Sequence, residues 1–529
     1  MGKIRRSEAS AKRRLDTIRP VGWGMEVALV ILDGWGIGNH DRRNAIERAT
    51  TPTVDELQRT AAVGQLDPTG RRVGLPDGEA GNSEVGHLHI GSGRVVMQAY
   101  TRINDDLTTA DFRRNRELAG VIDHAAESTG RLHLIGLLSA GGVHADYRHL
   151  FALIEWGADS NITVWSHLFT DGRDMPPTSG IDLVRTVEER IEAIGTGNIA
   201  TITGRYFGMD RDENWERTRR AYDAIVMGIA DHRATTASAA VEAAYGRGET
   251  DEFIEPTIID DGATIESGDT VVFINFRGDR GRQLVRMLMN IRPEWNESVD
   301  PPEIELITMT EYDRTFPVPV AYPPPTIRET LGEVFENHGL SQLRIAESEK
   351  YAHVTYFFNG GREIEFSAEI RRIVPSPDVS TYDSMPEMSA DQVTETALDT
   401  IGREDPDALV LNYANPDMVG HTGNFDATIR AVESVDRNLG RLLDGIESAN
   451  CHVIITADHG NADDMGTSDQ PHTAHTTNPV PFMYRAPTGD DGGYTVRSGG
   501  SLSDIAPTIL ELLNLEQPDE MTGLSLLAR

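Results

Sequence analysis

The chain has 529 residues, of which 84 are acidic and 49 basic, and its formal net charge is −35. This length predicts two or more domains. The acids are scattered, which argues against nucleic-acid binding. No apolar stretch reaches the ~18 residues of a membrane-spanning helix, and the single cysteine, Cys451, rules out an intrachain disulfide. We therefore expect a cytoplasmic protein in a reducing interior, with no nucleic-acid or membrane partner.

Lysine is nearly absent, since Lys3, Lys12 and Lys350 are the only lysines in the chain. An acidic, lysine-poor surface fits a halophile, in which salt screens the repulsion between like charges. The alternative is an acidic interaction surface, which would be localised. Two interpretations of Lys350 are open. It is either a surface lysine retained by chance, or an ammonium group at a position where the planar guanidinium of arginine does not fit.

Residues 1–24 differ from the rest of the chain. They contain seven basic and two acidic residues, so the remaining residues carry a net charge of −40. They lack the apolar core of a signal peptide. We expect either a disordered basic extension or a start codon assigned too early, because Met25 opens the first apolar run, EVALVIL.

Apolar and amphipathic segments alternate through the central block, 98–325. Strands are predicted at 132–138, 162–169, 199–203, 271–276 and 304–309, with helices such as 181–194 and 214–227 between them. This alternation predicts a mainly parallel α/β sheet. The proline-rich run 317–325 predicts a stiff extended linker, and 327–515 again has an α/β pattern.

Carboxylates and imidazoles occur in four separate segments, three of which directly follow an apolar run. The six candidate metal ligands are Asp33, Asp417, His421, Asp458, His459 and His475. Ligands bind beyond the carboxyl ends of parallel strands, and mixed Asp/His ligation suits Mn²⁺ or Zn²⁺. Any one segment alone has a structural reading as a turn former, a helix cap or a solvated histidine. Because the ligands flank the central block, we predict a metal-binding domain of 25–97 and 326–529, interrupted by an inserted domain of 98–325.

Ser83 lies in a glycine-rich segment, 78–94, where a loop enters a predicted helix. One reading is an ordinary N-cap serine. The other is a nucleophile whose hydroxyl is activated by a metal ion. The residues by themselves do not decide between the two.

A second set of polar residues lies in the central block, again after predicted strands. It consists of His144, Arg173, Asp174, Arg205, Arg211, Arg277 and Arg280. Five arginines on one rim predict a site for a multiply anionic substrate, and His144 and Asp174 are suited to exchange protons there. Each arginine taken singly reads as an ordinary surface residue.

With these motifs in order, the sequence resembles the cofactor-independent phosphoglycerate mutases, a family of the alkaline-phosphatase superfamily. The motifs that carry the resemblance are GNSEVGH, DGRD-x-PP, GRY-x₂-MDRD, EKYAHVT, NYANPDMVGHTG, TADHGN and AHTTNPVPF. The resemblance runs from about Met25 to the C-terminus. It implies an alkaline-phosphatase-like, mainly parallel sheet domain with an inserted second α/β domain.

The resemblance also implies roles for individual residues. Asp417, His421 and His475 would hold one Mn²⁺, and Asp33, Ser83, Asp458 and His459 the other. His472 is a competitor of His475, but His475 fills the family's position before TTNPVPF. The implied substrate contacts are His144, Arg173, Asp174, Arg205, Arg211, Arg277, Arg280 and Lys350. One departure is Gly278, where the family has proline in NFRPDR, and it affects the stiffness of that loop.

The implied reaction interconverts 3-phosphoglycerate and 2-phosphoglycerate through a phosphoserine on Ser83, with Asp174 and Lys350 as further catalytic residues and without bisphosphoglycerate. We expect a monomer with two Mn²⁺ ions per chain. One alternative is a related metal-dependent phosphatase or phosphomutase, although the arginine-rich insertion disfavours a plain phosphatase. The other is a binding protein with a retired site, which would lack a ligand or nucleophile, and none is missing here.

Overall fold

The computed structural model describes residues 24–40, 43–291, 301–490 and 493–529. All but the last residue of the predicted extension at 1–24 therefore lies outside the described residues. The chain divides into two compact units: the first combines the residues up to Met97 with Thr326–Arg529, and the second is Gln98–Pro325. Among the described residues, no helix has the length and apolar character needed to cross a bilayer.

The first unit is built on an eight-stranded sheet. Its strand order is Glu369–Val374, Gln342–Glu347, Ala408–Tyr413, Val27–Leu32, His452–Thr456, Val480–Arg485, Ala62–Asp67 and Gly500–Ser501. The first five strands pair in parallel, and the pairings of Val480–Arg485 are antiparallel. The central strands are apolar and buried, as expected where helices cover both faces of a parallel sheet.

Helices of the first unit pack against this sheet through their apolar faces. Phe425–Gly445 is the longest; the Asn424 side chain caps it by accepting a hydrogen bond from the Ala427 amide. The α-helices are Ala45–Arg48, Pro52–Thr60, Ser83–Ser92, Leu331–Asn337, Ala390–Glu404, Asn415–Gly420, Phe425–Gly445 and Ile505–Leu512. A small ladder pairs Thr495–Val496 with Leu527–Ala528.

The second unit has its own eight-stranded sheet. Its strand order is Val320–Tyr322, Glu305–Thr310, Thr270–Phe273, Arg131–Leu138, Thr163–Thr170, Asn198–Gly204, Thr257–Ile258 and His232–Arg233. All pairings are parallel except that of Asn198–Gly204 with Thr257–Ile258. The α-helices are Ala99–Thr109, Arg116–Glu127, Tyr147–Asp159, Gly180–Ile194, Arg205–Gly208, Trp215–Tyr222, Ala237–Gly246 and Arg282–Leu288. The predicted mainly parallel α/β fold class is thus confirmed.

Two local predictions in the second unit need correction. The strand predicted at 271–276 ends at Phe273, because the side chain of Asn275 accepts a hydrogen bond from the Leu137 amide and replaces the regular ladder there. The proline-rich run 317–325 is not only a linker. Its residues Val320–Tyr322 form a strand that pairs in parallel with Glu305–Thr310. This strand lies at the edge of the sheet. Prolines next to it are tolerated there, because a proline has no N–H to donate and, among the described residues, no further strand lies beyond the edge to accept one.

Candidate active site

The polar residues of the first unit meet at the carboxyl edge of its sheet. Pairing aligns Leu32 with Tyr413 and Ile31 with Thr456, so three neighbouring strands end at one level. Asp33 directly follows the first strand, and the segments that carry Asp417 and Asp458 follow the other two. All three carboxylates are almost fully buried. The parallel register therefore gathers residues that are hundreds of positions apart.

Ser83 is the first residue of the helix Ser83–Ser92 and is not its cap. Asn82 is the N-cap residue, and its side chain accepts a hydrogen bond from the Val85 amide. The Ser83 hydroxyl is left for the site: it lies 2.9 Å from His459 Nε2 and 3.2 Å from Asp33 Oδ1. The sequence left two interpretations of Ser83 open, and this geometry excludes that of an N-cap residue.

Lys350 is a buried residue and therefore not a surface lysine retained by chance. It lies just beyond the strand Gln342–Glu347 and is 3% exposed. Its ammonium donates to Ser83 Oγ at 2.6 Å, to Asp33 Oδ1 at 2.7 Å and to Asp417 Oδ2 at 2.6 Å. Burial alone would lower its pKa, but the charges of Asp33 and Asp417 outweigh burial and raise the pKa of Lys350.

The histidines complete the cluster. His421 Nε2 lies 3.1 Å from Asp417 Oδ1 and 3.1 Å from His475 Nε2, which is itself 3.3 Å from Asp417 Oδ1. His459 Nε2 lies 3.5 Å from both Asp33 Oδ1 and Asp458 Oδ2. Burial lowers the pKa of His459 to about 4, which keeps the ring in the neutral form that ligates metals. His472 instead contacts the Asp464 carbonyl.

The donor set of this cluster fits divalent cations. Three buried carboxylates face one lysine, and burial together with the charge of Asp458 raises the pKa of Asp33 to about 7. Asp458 Oδ2 is buried and makes no hydrogen bond within the described residues. Two groups of potential ligand atoms lie within 4.8 Å of one another: Asp417 with His459 and His475, and Asp33 with His87 and Asp458. Bound cations would balance this negative charge.

His87 is a residue that the sequence argument missed. Its ring is fully buried beside Asp33 and Asp458, although it was not among the expected ligands. A signal was available in the sequence, because His87 stands four residues after Ser83 in GNSEVGH. Residues four apart share one face of a helix, so a helix that directs Ser83 toward the site also directs His87 toward it.

The second unit contains a separate basic cavity of about 260 Å³. Four of the five predicted arginines line it: Arg173, Arg205, Arg211 and Arg280. Arg277 is not among the lining residues, and its guanidinium lies 3.3 Å from Asp279. Arg211 also pairs with Asp279, at 3.1 Å. The loop of Gly278 packs tightly, since a Cβ at that position would lie 2.6 Å from Tyr312 Cα.

Asp174 and His144 belong to the same cluster of the second unit. Arg205 Nη1 donates to Asp171 Oδ1 at 2.7 Å and to Asp174 Oδ2 at 2.5 Å. His144 Nδ1 lies 3.6 Å from Asp279 Oδ1. Burial and the charge of Arg205 lower the pKa of His144 to about 4, so the ring is neutral. Asp279 was also missed, although it stands between Arg277 and Arg280 in the sequence.

Comparison with known proteins first establishes a class. A family model described as the Metalloenzyme superfamily matches residues 25–517. The match covers most of the chain and agrees with the buried Asp/His cluster.

Individual relatives then narrow the class. The chain is 59% identical over 503 residues to the 2,3-bisphosphoglycerate-independent phosphoglycerate mutase of Haloquadratum walsbyi, covering 95% of this chain and 100% of that one. It is 45% identical to the protein of the same name from Pseudomonas putida, covering 95% and 98%. A crystal structure of Leishmania mexicana phosphoglycerate mutase at low cobalt concentration matches with a TM-score of 0.68 and 32% identity, covering 96% and 99%. The chain therefore belongs to the 2,3-bisphosphoglycerate-independent phosphoglycerate mutase family.

Proposed function

We propose that the chain interconverts 3-phosphoglycerate and 2-phosphoglycerate without bisphosphoglycerate, and that Ser83 carries the phosphoryl group between the two hydroxyls. The observation that carries the proposal is the environment of the Ser83 hydroxyl. It lies within hydrogen-bonding distance of Lys350, His459 and Asp33, in a buried cluster with the donor set of a metal site. The family membership of the chain supports the same activity.

Two phosphoryl transfers complete the reaction. In the first, Ser83 Oγ loses its proton and forms a bond to phosphorus, the bond from phosphorus to the substrate oxygen breaks, and that oxygen takes up a proton. In the second, the other hydroxyl of glycerate loses its proton and attacks phosphorus, the bond from phosphorus to Ser83 Oγ breaks, and Ser83 Oγ takes up a proton. Lys350 stabilises the charge that develops around the serine oxygen, because its ammonium already donates to Ser83 Oγ.

We assign two Mn²⁺ ions to the cluster. Asp417, His421 and His475 would hold one ion, and Asp33, Ser83, Asp458 and His459 the other. The short separations among Asp417, His421 and His475 support the first set. The contacts of His459 with Ser83, Asp33 and Asp458 support the second. Bound ions would favour ionisation of the Ser83 hydroxyl and neutralise charge on the phosphoryl oxygens.

The second unit would bind the anionic substrate. The arginines of its cavity are suited to hold a carboxylate or a phosphoryl group through bidentate hydrogen bonds. Asp174 is held by Arg205, and we assign to it the proton transfers at the glycerate hydroxyls, with neutral His144 beside it. Arg277 completes the set through its link to Asp279. On this assignment 98–325 is the inserted substrate-binding domain, and 25–97 with 326–529 is the metal-binding domain.

The experiment that tests this function is a coupled mutase assay on metal-stripped protein. We expect no activity without metal, recovery when Mn²⁺ is restored, and no requirement for added bisphosphoglycerate. Free phosphate is measured in the same reaction. Its release at the rate of substrate loss would show a phosphatase of the same superfamily, and a strict bisphosphoglycerate requirement would overturn the proposed route.

The cellular setting is part of the proposal. A single cysteine and a substrate of glycolysis and gluconeogenesis support a cytoplasmic location, and we propose that the protein is a monomer. Both units contain their own hydrophobic cores, and neither candidate cluster needs a residue from a second chain. Light scattering on the metal-loaded protein measures the oligomeric state directly.

A further inference from the structure

Two buried side chains, His87 and Asn412, connect Asp33 to the first turn of the Ser83 helix. Asn412 lies within the strand Ala408–Tyr413, and both side chains are fully buried. Asn412 Nδ2 lies 2.7 Å from Asp33 Oδ2 and 3.0 Å from His87 Nε2. His87 Nδ1 lies 2.8 Å from the Ser83 carbonyl oxygen. With the 3.2 Å contact from Ser83 Oγ to Asp33 Oδ1, these bonds close a ring.

With Asp33 ionised, only one arrangement of protons satisfies every bond in this ring. A carbonyl oxygen only accepts, so His87 Nδ1 carries the ring proton and His87 Nε2 is an acceptor. Asn412 then gives one amide hydrogen to His87 Nε2 and the other to Asp33 Oδ2. With the amide turned over, its oxygen would face a carboxylate and an imidazole lone pair. The ring therefore fixes the histidine tautomer and the amide orientation together.

The amide oxygen of Asn412 shows that this arrangement has an energetic cost. Asn412 Oδ1 is buried and makes no hydrogen bond within the described residues. An unmet buried acceptor destabilises the folded state. Both amide hydrogens are nevertheless directed at Asp33 and His87. A buried polar group left unsatisfied beside reactive groups is typical of a site where positioning has been favoured over stability.

His87 competes with His459 for the role of metal ligand, since its ring lies close to both Asp33 and Asp458. His87 Nδ1 is 3.3 Å from Asp458 Oδ2, but both of its ring nitrogens already have partners in the ring of bonds. His459 Nε2 instead faces Ser83 Oγ and two carboxylates. The nitrogen available to a cation is therefore that of His459.

We propose that His87 and Asn412 are positioning residues that hold Asp33 and Ser83 in register for phosphoryl transfer, and that neither residue ligates a metal ion. The inference rests on the proposed function, because it concerns the same serine. Asn412 restrains Asp33 Oδ2, which leaves Asp33 Oδ1 directed at Ser83 and Lys350. Partners of this kind orient metal ligands, and their loss typically costs about 10- to 100-fold in metal affinity or activity.

The test compares His87→Leu, Asn412→Leu and the double variant with wild-type protein. Mn²⁺ equivalents are counted by titration calorimetry on metal-stripped protein, and kcat and KM are measured separately. We expect two Mn²⁺ equivalents in every variant and a kcat that is about 10- to 100-fold lower, with KM nearly unchanged. His87→Gln keeps an acceptor toward Asn412 and should recover part of the loss. The double variant should be little worse than either single variant, because the ring is already broken.

Asn438→Leu is the matched control, since Asn438 is buried in the same unit and, among the described residues, its side chain bonds only to the Ser434 carbonyl and to Arg441. It should alter the melting temperature but neither kcat nor Mn²⁺ binding. Loss of one Mn²⁺ equivalent in His87→Leu would make His87 a ligand and overturn the inference. So would wild-type kcat and Mn²⁺ affinity in both leucine variants.

Two provisions keep the test decisive. If the leucine variants do not fold, Asn412→Ser and His87→Gln replace them, because serine is too short to bridge two groups. The Mn²⁺ titration needs no substrate. If wild-type protein shows no mutase activity, the proposed function fails, while Mn²⁺ count and affinity still decide whether His87 and Asn412 act on the metal site.

Discussion

In the proposed reaction, Ser83 is the residue that carries the phosphoryl group. A Ser83→Ala variant should fold normally, because the helix is capped by Asn82 and loses no cap hydrogen bond. Its kcat should fall by at least about a thousandfold, since a methyl group cannot accept the phosphoryl group. Far-ultraviolet circular dichroism and the coupled assay together check this. Substantial activity in the folded variant would assign the serine a structural role only.

Lys350 shows why charge alone does not define a residue's role. Its ammonium contacts three oxygens at 2.6–2.7 Å and is buried. A planar guanidinium cannot occupy that space without displacing Asp33 or Asp417. Lys350→Arg should therefore lower kcat by about 100-fold or more. Arg403→Lys, the reverse exchange at an exposed residue paired with Asp399, should have normal kinetics; similar losses in both variants would refute the argument.

Glu347 gives the pH dependence of stability a defined sign. It is the last residue of the strand Gln342–Glu347 and is 1% exposed, and burial raises its pKa from 4.5 to about 7. The folded state thus favours the protonated carboxyl. The stability linked to this group is fully present below pH ~4.5 and is lost as the pH rises through about 7.

A Glu347→Gln variant removes that loss because its side chain stays neutral. Relative to wild type it should be equally stable near pH 4.5 and more stable above pH 7. The gain is on the order of 3.5 kcal/mol at most, because the pKa rises from 4.5 to about 7 and each unit of pKa corresponds to about 1.4 kcal/mol. Urea unfolding at pH 5 and pH 8 in constant salt measures it. Glu395→Gln, at an exposed position, is the control; a gain that is flat with pH would contradict the assignment.

At the scale of single residues, the sequence predicted which residue types gather in the candidate site better than it predicted which side chains contact one another. Asp33, Asp417 and Asp458 were predictable because each follows an apolar run that becomes a strand. His87, Asn412 and Asp279 were not, since their roles depend on which side chains face each other across separate segments. Even the identity of the N-cap residue could not be predicted, because Asn82 and Ser83 are both good capping residues.

Among the elements, the helix Ser83–Ser92 packs directly against the candidate site. Gly86 allows this approach: a Cβ at Gly86 would lie 2.8 Å from Asp458 Cβ and 2.9 Å from the Asp458 carbonyl oxygen. Gly86→Ala must therefore displace Asp458 or the helix. We expect a destabilisation of about 1–3 kcal/mol and weaker Mn²⁺ binding, measured by thermal melting and by calorimetry.

Gly402 provides the matched control for that prediction. It lies in the helix Ala390–Glu404 of the same unit, and nothing lies within 4 Å of an added Cβ. Gly402→Ala should stabilise the protein by roughly 0.5–1 kcal/mol, as expected when alanine replaces glycine in an open helix. Equal effects of the two substitutions would mean that packing against Asp458 does not limit the helix.

Strand boundaries were predictable from sequence where the ladder is regular, and not elsewhere. Strands predicted at 132–138 and 162–169 match Arg131–Leu138 and Thr163–Thr170 within a residue. The strand at 271–276 was predicted too long because an asparagine side chain replaced a backbone partner. The proline-rich run hid an edge strand because its pairing is set by a neighbour distant in sequence. Local patterns therefore fixed the regular elements, and tertiary contacts fixed the exceptions.

Considered as a whole, the molecule carries an unusual excess of negative charge: 84 acids against 49 bases. The acids are scattered over the chain, while the candidate substrate cavity is lined by arginines. Self-repulsion should oppose folding and should also slow the approach of an anionic substrate. The Debye length falls from ~10 Å at 0.1 M salt to ~3 Å at 1 M, so molar salt screens most of this repulsion.

We therefore expect the melting temperature to rise from 0.1 M to 2 M KCl. Activity should rise with it until the salt begins to compete with substrate at the arginines. Sucrose at equal osmolality is the control, because it is excluded from the surface without screening charge. A melting temperature that stays constant between 0.1 M and 2 M KCl would refute the argument, since scattered repulsion cannot then limit stability.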